Sequence, residues 1–318
     1  MSKNLKGVIK PSYILFLKKK HQLKIFFRRK KNSFLINKNI NNGVFPVEII
    51  SSMGLFANMT YAIRIINYCE EKKLVPYLKF TLENSQKEGN PFDYLFNVIS
   101  KKKATKKIRY LKMKSFTDLS LNVDWENYQP KSILSASNLM KNNIIIKDFV
   151  LEKVDAFYKK NLINKKVLGL HYRSTDKFSE AKILSYNYVV KNINYYIEKY
   201  PETDAIFIST DDINFVNHIK TNFNLRTTIF NQDSFRSNNN VSIHLSGQNI
   251  FEINFDALIN CLLLSKCTTL MKTASNLSAW SKIFNPNINV IILSKPKERF
   301  NFFPEKDVAE DVLYSPII

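Results

Sequence analysis

The stretch KVLGLHYRSTDKFSEAKILSYNYVVKNINYYIEKYPETDAIFISTDD, residues 166–212, decides how the chain is read. Its apolar runs 166–171 (KVLGLH) and 204–210 (DAIFIST) have the unbroken hydrophobicity of strands buried on both faces of a parallel sheet. Between them Val189, Ile193, Tyr196 and Ile197 recur at helical spacing over 186–200, so the order is strand, helix, strand. Working toward the C-terminus, a helix is predicted over 214–222, a short strand over 227–230 and a strongly apolar helix over 257–265. A strand over 269–272, a helix over 277–284 and a closing strand over 289–293 (NVIIL) follow. Toward the N-terminus, 44–51 (VFPVEIIS) reads as a strand and 74–80 as another. The helix between them carries Tyr61, Ile65, Tyr68 and Cys69 on one face. Residues 36–42, rich in Asn and Lys, are expected to form a loop. Strand–helix alternation in two separate stretches predicts an α/β protein with two Rossmann-like domains. They are placed at 1–160 and 161–318, with the join between 148 and 165.

Composition narrows the class. The chain has 318 residues, 45% of them hydrophobic, which supports packed domains and excludes global disorder. Cys69, Cys261 and Cys267 suit neither a disulfide framework nor a zinc site, and they point to a reducing compartment. No apolar run is long enough to span a bilayer. The five residues 13–17 are too short for a signal-peptide core and carry their charge on the wrong side.

The net charge of +21 is unevenly spread. Residues 1–40 hold 12 Lys and Arg without one carboxylate, and residues 101–114 hold another 8. Outside these two patches the chain is nearly neutral. In the first patch Phe16, Phe26 and Phe27 alternate with cations, a mixture that suits an anionic lipid surface. The same mixture can stack on single-stranded nucleic acid, and a lysine-rich solvated surface without any partner is the plainer alternative.

Ligands of open α/β sheets bind beyond the carboxyl ends of the strands, so three strand ends are candidates. After 166–171 comes Tyr172-Arg173-Ser174-Thr175-Asp176-Lys177-Phe178-Ser179-Glu180, where Arg173 can fork two bonds onto a diphosphate. An Arg173–Asp176 ion pair capping the next helix is the structural alternative. The strand 204–210 ends in Asp211 and Asp212, of which Asp212 reads as a helix cap. Third is Lys272-Thr273-Ala274-Ser275-Asn276-Leu277-Ser278, whose helix N-terminus offers N–H groups to an anion or simply caps itself. There is no G-x-G-x-x-G, Walker loop, D-x-D pair or G-x-S-x-G elbow, and the four histidines lack ligand spacing.

The segment 168–177 (LGLHYRSTDK) resembles the H-x-R-R-T-D-K block of the α1,6-fucosyltransferases, the core N-glycan and rhizobial nodulation enzymes. In the same order follow 208–212 (ISTDD), 256–265 (DALINCLLLS) and 273–278 (TASNLS). Earlier, 54–58 (GLFAN) looks like the family's first-strand turn with one of its glycines, and 90–96 (NPFDYLF) is similar to an acceptor-half segment. The resemblance implies a GT-B fold and inverting transfer of fucose from GDP-fucose, without a metal or other cofactor; another GDP-sugar, or another nucleotide sugar, is the alternative donor. The N-terminal half would face the acceptor and the C-terminal half would bind the donor. Arg173 would hold the β-phosphate and His171 would face guanine. Lys177, Asp211 and Ser275 would lie near the sugar and acceptor, with Asn276 beside Ser275 at the helix N-terminus. Glu180, or Asp211, would be the catalytic base. Two departures stand out. Ser174 replaces the family's second Arg, and the guanine-reading carboxylate falls at Asn260, with Asp256 one turn earlier. An Asn can accept through one oxygen only. The implied partners are a nucleotide sugar, a glycan acceptor (polysaccharide or lipid-linked oligosaccharide) and, through residues 1–40, an anionic membrane. Nucleic acid is the competing partner class. The expected location is cytoplasmic, peripheral at the inner face of the membrane.

Overall fold

A computed structural model describes residues 11–82, 89–99, 108–119, 123–174, 179–222, 228–237 and 249–310. The first unit begins with a long helix α1 (Pro11–Asn41), then β1 (Val44–Ser51), α2 (Leu55–Glu71) and β2 (Val75–Leu82). A short α3 (Pro91–Leu95) leads into β3 (Phe96–Val98) and then β4 (Leu111–Met113), α4 (Ile133–Asn143) and β5 (Ile144–Ile146). Helix α5 (Asp148–Asn161) carries the chain to the second unit. There β6 (Val167–Tyr172), α6 (Tyr186–Lys199), β7 (Ala205–Thr210), α7 (Ile213–Asn222) and β8 (Thr228–Phe230) alternate. They continue through α8 (Ile250–Ser265), β9 (Thr269–Lys272), α9 (Asn276–Phe284), β10 (Asn289–Ile292) and α10 (Glu305–Glu310).

The first sheet is parallel in the order β2-β1-β4, and the second is parallel in the order β10-β9-β6-β7-β8. An antiparallel ribbon, β3 with β5, was not anticipated. In the second sheet, alternate residues feed two cores. Val167, Phe207 and Leu270 face α8 and α9 in a core shared with the first unit. Leu168, Leu170, Tyr172 and Ile208 face Val189, Ile193 and Phe215 of α6 and α7. Gly169 permits the close approach of α8 to β6, since a Cβ there would lie 2.8 Å from Cys267 Sγ.

Two sequence expectations are corrected. Residues 36–41 are helical, not a loop, because Leu35, Ile36 and Asn39 are buried against the first sheet and hold the last turns of α1. Helix α8 starts at Ile250, seven residues before the expected start, where Asn249 accepts a hydrogen bond from the Phe251 N–H as its cap.

Candidate functional site

The carboxyl ends of β1 and β6 face one another across a cleft. On the first unit the wall is residues 54–57, the loop after β1 and the first turn of α2. Ser51 Oγ donates to Asn58 Oδ1 at 2.6 Å and accepts from the Met53 N–H at 3.2 Å, which fastens that loop to the helix. Gly54 caps α2 without a side-chain bond, so this wall offers backbone N–H groups and apolar surface. Below it Phe56 packs on Trp280 at 5.9 Å between ring centroids. Trp280 Nε1 donates to Thr60 Oγ1 at 3.2 Å, a bond that ties the two units together.

The second unit supplies the charged side chains. His171, 3% exposed, stands one residue before the end of β6 and lines the cleft. Arg173 follows the strand, with its N–H donating to Thr273 Oγ1 at 2.9 Å and its Nε 3.3 Å from Asp211 Oδ2. Asp211 is buried, and its Oδ1 also accepts from the Ser174 N–H at 3.5 Å. Arg173 thus pairs with Asp211, while Asp176 lies outside the described residues. Asp212 turns away from the cleft. Its Oδ1 caps α7 through the N–H groups of Asn214 and Phe215, and its Oδ2 accepts from Ser174 Oγ and Tyr186 Oη, both at 2.7 Å. Ser174, standing where the resemblance has a second Arg, is therefore built into the loop rather than into the cleft.

Ser275 and Asn276 open α9 at the cleft. Ser275 makes no side-chain cap; instead its N–H donates to Glu305 Oε1. Glu305 also accepts from Lys272 Nζ at 2.7 and 2.9 Å, and Lys272 is fully buried at the end of β9. A buried ion pair from α10 thus fixes the strand end and the N-terminus of α9.

The far end of the cleft is formed by α8 and the loop after β8. Asp256 Oδ1 accepts from Ser234 Oγ at 3.0 Å and from Asn260 Nδ2 at 2.8 Å, and its Oδ2 accepts from the Phe235 N–H at 3.2 Å. Burial pushes the Asp256 carboxyl up to about 6, against the pull of these donors and of Arg236. Arg236 donates to the carbonyls of Ser234 and Asn231, which braces the loop. Asn260 Oδ1 is buried at the cleft wall without a hydrogen-bond partner. The carboxylate and the Asn one turn later on α8 therefore act as one polar unit. Sequence reading placed only Asn260 in the site. The i, i+4 spacing of Asp256 and Asn260 was the available signal; the loop that completes the unit was not legible.

Of the residues expected in the site, His171, Arg173, Asp211, Asn260, Ser275 and Asn276 are brought together. Lys177 lies outside the described residues. Glu180 is half-buried and is not part of the cleft wall. Its carbonyl accepts from the Lys297 N–H at 2.7 Å, and Ala181 bridges to Pro296, which draws this segment toward the chain after β10. Among the described residues no group of three His, Cys, Asp or Glu is placed to hold a metal ion.

No family model and no curated protein matches the sequence. Among solved structures, the chain is similar to the fucosyltransferase NodZ from Bradyrhizobium, with 12% identity over 78% of this chain and 96% of that one, and a TM-score of 0.49. A variant of Arabidopsis thaliana FUT1 in complex with GDP shares 14% identity over 81% of this chain and 51% of that one, at a TM-score of 0.37. POFUT1 in complex with GDP shares 10% over 50% and 49%, at 0.34. The fold stands on its own strands. Two parallel α/β units facing each other, with a cleft between the carboxyl ends of their strands, make a GT-B fold.

Proposed function

We propose that the protein is a glycosyltransferase that moves a sugar, fucose first among the candidates, from its GDP-linked donor to a glycan acceptor. The observation that carries this reading is the meeting of Arg173, the α9 N-terminus and the Asp256–Asn260 unit along one cleft. A GDP-sugar has the matching order of groups: a base with two N–H donors, a diphosphate and a sugar. Ionised Asp256 accepts from the base, restoring the carboxylate that Asn260 alone lacks. Arg173 and the N–H groups opening α9 take up the charge that develops on the departing diphosphate. The enclosed part of the cleft is about 140 Å³. That is below the roughly 300–1,000 Å³ of sites that engulf a whole ligand, so part of the donor lies in the open mouth.

Inversion requires the acceptor oxygen to attack opposite the diphosphate, with a carboxylate taking its proton. Asp211 lines the cleft beside Arg173 and Glu180 does not, which favours Asp211 as base and as the group that orients Arg173. In this reading residues 1–160 face the acceptor, residues 161–318 hold the donor, and no metal takes part.

The same reading places the protein on the cytoplasmic face of an anionic membrane. No helix among the described residues is long and apolar enough to cross a membrane. The inner side of α1 is pinned by Arg28 Nη1 to Asp118 Oδ2 at 2.7 Å, and by Asn32 Nδ2 to the Asp118 carbonyl at 2.7 Å. Its other side exposes Leu23, Phe26, Phe27 and Phe34 among lysines. Apolar anchors between cations fit the boundary of an anionic bilayer, each nearby cation contributing about 1 kcal/mol. The deciding experiment is a thermal-shift series across nucleoside diphosphates followed by transfer assays with and without EDTA. GDP stabilising above UDP and CDP, with turnover surviving chelation, is the expected result. At one hundred times the dissociation constant the gain is about 2.7 kcal/mol. UDP matching GDP overturns the base assignment, and loss of turnover in EDTA restored by Mn²⁺ overturns the metal-free mechanism.

A further inference from the structure

A second pocket, remote from the cleft, lies between α1 and the outer face of the first sheet and holds about 400 Å³. Lys31 and Phe34 of α1 form one side, and Glu48, Arg109, Tyr110 and Lys112 form the other. Register explains why charges gather there. Glu48 in the central strand sits directly beside Lys79 of β2 and Lys112 of β4. Its carboxylate is buried, lies 3.5 Å from each ammonium and accepts from Thr81 Oγ1 at 2.8 Å. Its charge is therefore shared between two lysines. Lys31 and Arg109 have no carboxylate partner among the described residues, so the pocket keeps an uncompensated positive character. Arg109 adds a planar fork and Tyr110 a phenol, both of which suit a tetrahedral oxyanion. Phe34, 75% exposed, marks the mouth on the same side of α1 as Phe27, one heptad earlier.

We propose that this pocket binds a phosphate group, supplied by the headgroup of an anionic lipid when the exposed side of α1 rests on the bilayer. The inference rests on the membrane reading of α1 and makes it specific. Diffuse attraction depends on surface charge alone, whereas a pocket with a guanidinium fork prefers a terminal phosphate monoester over a carboxylate-bearing headgroup of equal charge.

The test is flotation of the full chain with vesicles of phosphatidylcholine doped with phosphatidic acid or with phosphatidylserine, at matched surface charge. Phosphatidic acid should bind at least about tenfold more tightly. Arg109→Lys keeps the charge and loses the fork, so it should erase that preference while leaving binding to phosphatidylserine unchanged. Phe27→Ser with Phe34→Ser should lower binding to both vesicles and keep the preference. Equal binding of the two lipids by the parent protein, or a preference that survives Arg109→Lys, overturns the proposal. If no vesicle binds, the membrane reading fails, and titration with inorganic phosphate then tests the pocket by itself. Phosphate raising the melting temperature of the parent but not of Arg109→Gln would support a phosphate pocket and overturn the lipid source. No shift in either protein overturns the pocket. Preference for a single-stranded oligonucleotide over every vesicle overturns the lipid assignment as well.

Discussion

The two walls of the cleft differ in kind. The wall from the first unit, residues 54–57, presents backbone amides and apolar side chains. The facing wall presents Arg173, Asp211 and Asp256, each braced by at least one hydrogen bond or ion pair from a neighbouring element. The difference teaches that the charge of the cleft belongs to the second unit; on the proposed reading that unit recognises the donor, while the first closes the cleft and shapes what approaches from the other side. Preorganised charge is expensive to assemble, since each ion must be desolvated and held. Here the bracing is concentrated on the wall that carries the charge.

The variants that test this asymmetry rank by expected size. Glu305→Gln should have the largest effect, because it leaves Lys272 buried without a counter-charge and weakens the hold on the α9 N-terminus. Breaking a buried pair in this way commonly costs roughly 3–5 kcal/mol, to be read by urea denaturation. Arg173→Lys comes next. It keeps the charge but loses the fork, and a loss of about 10²–10³ in transfer rate is expected with the fold unchanged. Normal rates would remove Arg173 from the donor site.

Asp256 gives a pH signature. Its carboxyl is raised by burial from 3.8 to about 6, so between those values the folded state binds more protons than the unfolded state. Stability from this group therefore falls as pH rises from about 4 to 6, by roughly 3 kcal/mol at most, and is flat above. Affinity for GDP should move the opposite way, weakening as pH falls below about 6, because protonated Asp256 no longer accepts from both base N–H groups. Asp256→Asn should abolish both trends in calorimetric titrations. A GDP affinity independent of pH from 5 to 7 would separate Asp256 from the base.

On the opposite wall effects should be smaller. Thr60→Val removes the acceptor of Trp280 Nε1 and should cost about 1 kcal/mol in thermal unfolding, with donor affinity unchanged. Smallest of all, Glu180→Gln should leave transfer near the parent rate, since Glu180 lies outside the cleft wall. A drop of roughly 10²–10⁴ would instead make it the base.

Local sequence was sufficient wherever structure follows from local periodicity. The runs 44–51 and 269–272 are strands with the expected limits, and β6, β7 and β8 each lie within one residue at either end. Strands buried on both faces are mostly apolar, with exceptions such as Glu48 and Lys272 that find partners in the fold, and that pattern is visible without knowing their neighbours. From strand ends alone came Arg173, Asp211 and Ser275, because the carboxyl edge of a parallel sheet is where its loops and helix N-termini gather. Asp212 was equally legible as a cap.

What only the tertiary structure decided involves partners far apart in the chain. The end of α1 reads as a loop because residues 36–42 are rich in Asn and Lys. The helix is selected by contacts such as Arg28–Asp118, ninety residues apart. Asp256 became the carboxylate of the cleft only because the loop carrying Ser234 and Phe235 folds onto α8. Glu305 meets Lys272 and Ser275 across some thirty residues, and Glu180 is drawn from the cleft wall by the chain at Pro296 and Lys297. Periodicity records which face of an element is buried. Which charged groups then share that burial depends on how the elements pack, because a charge is stable in the interior only where packing brings it a partner.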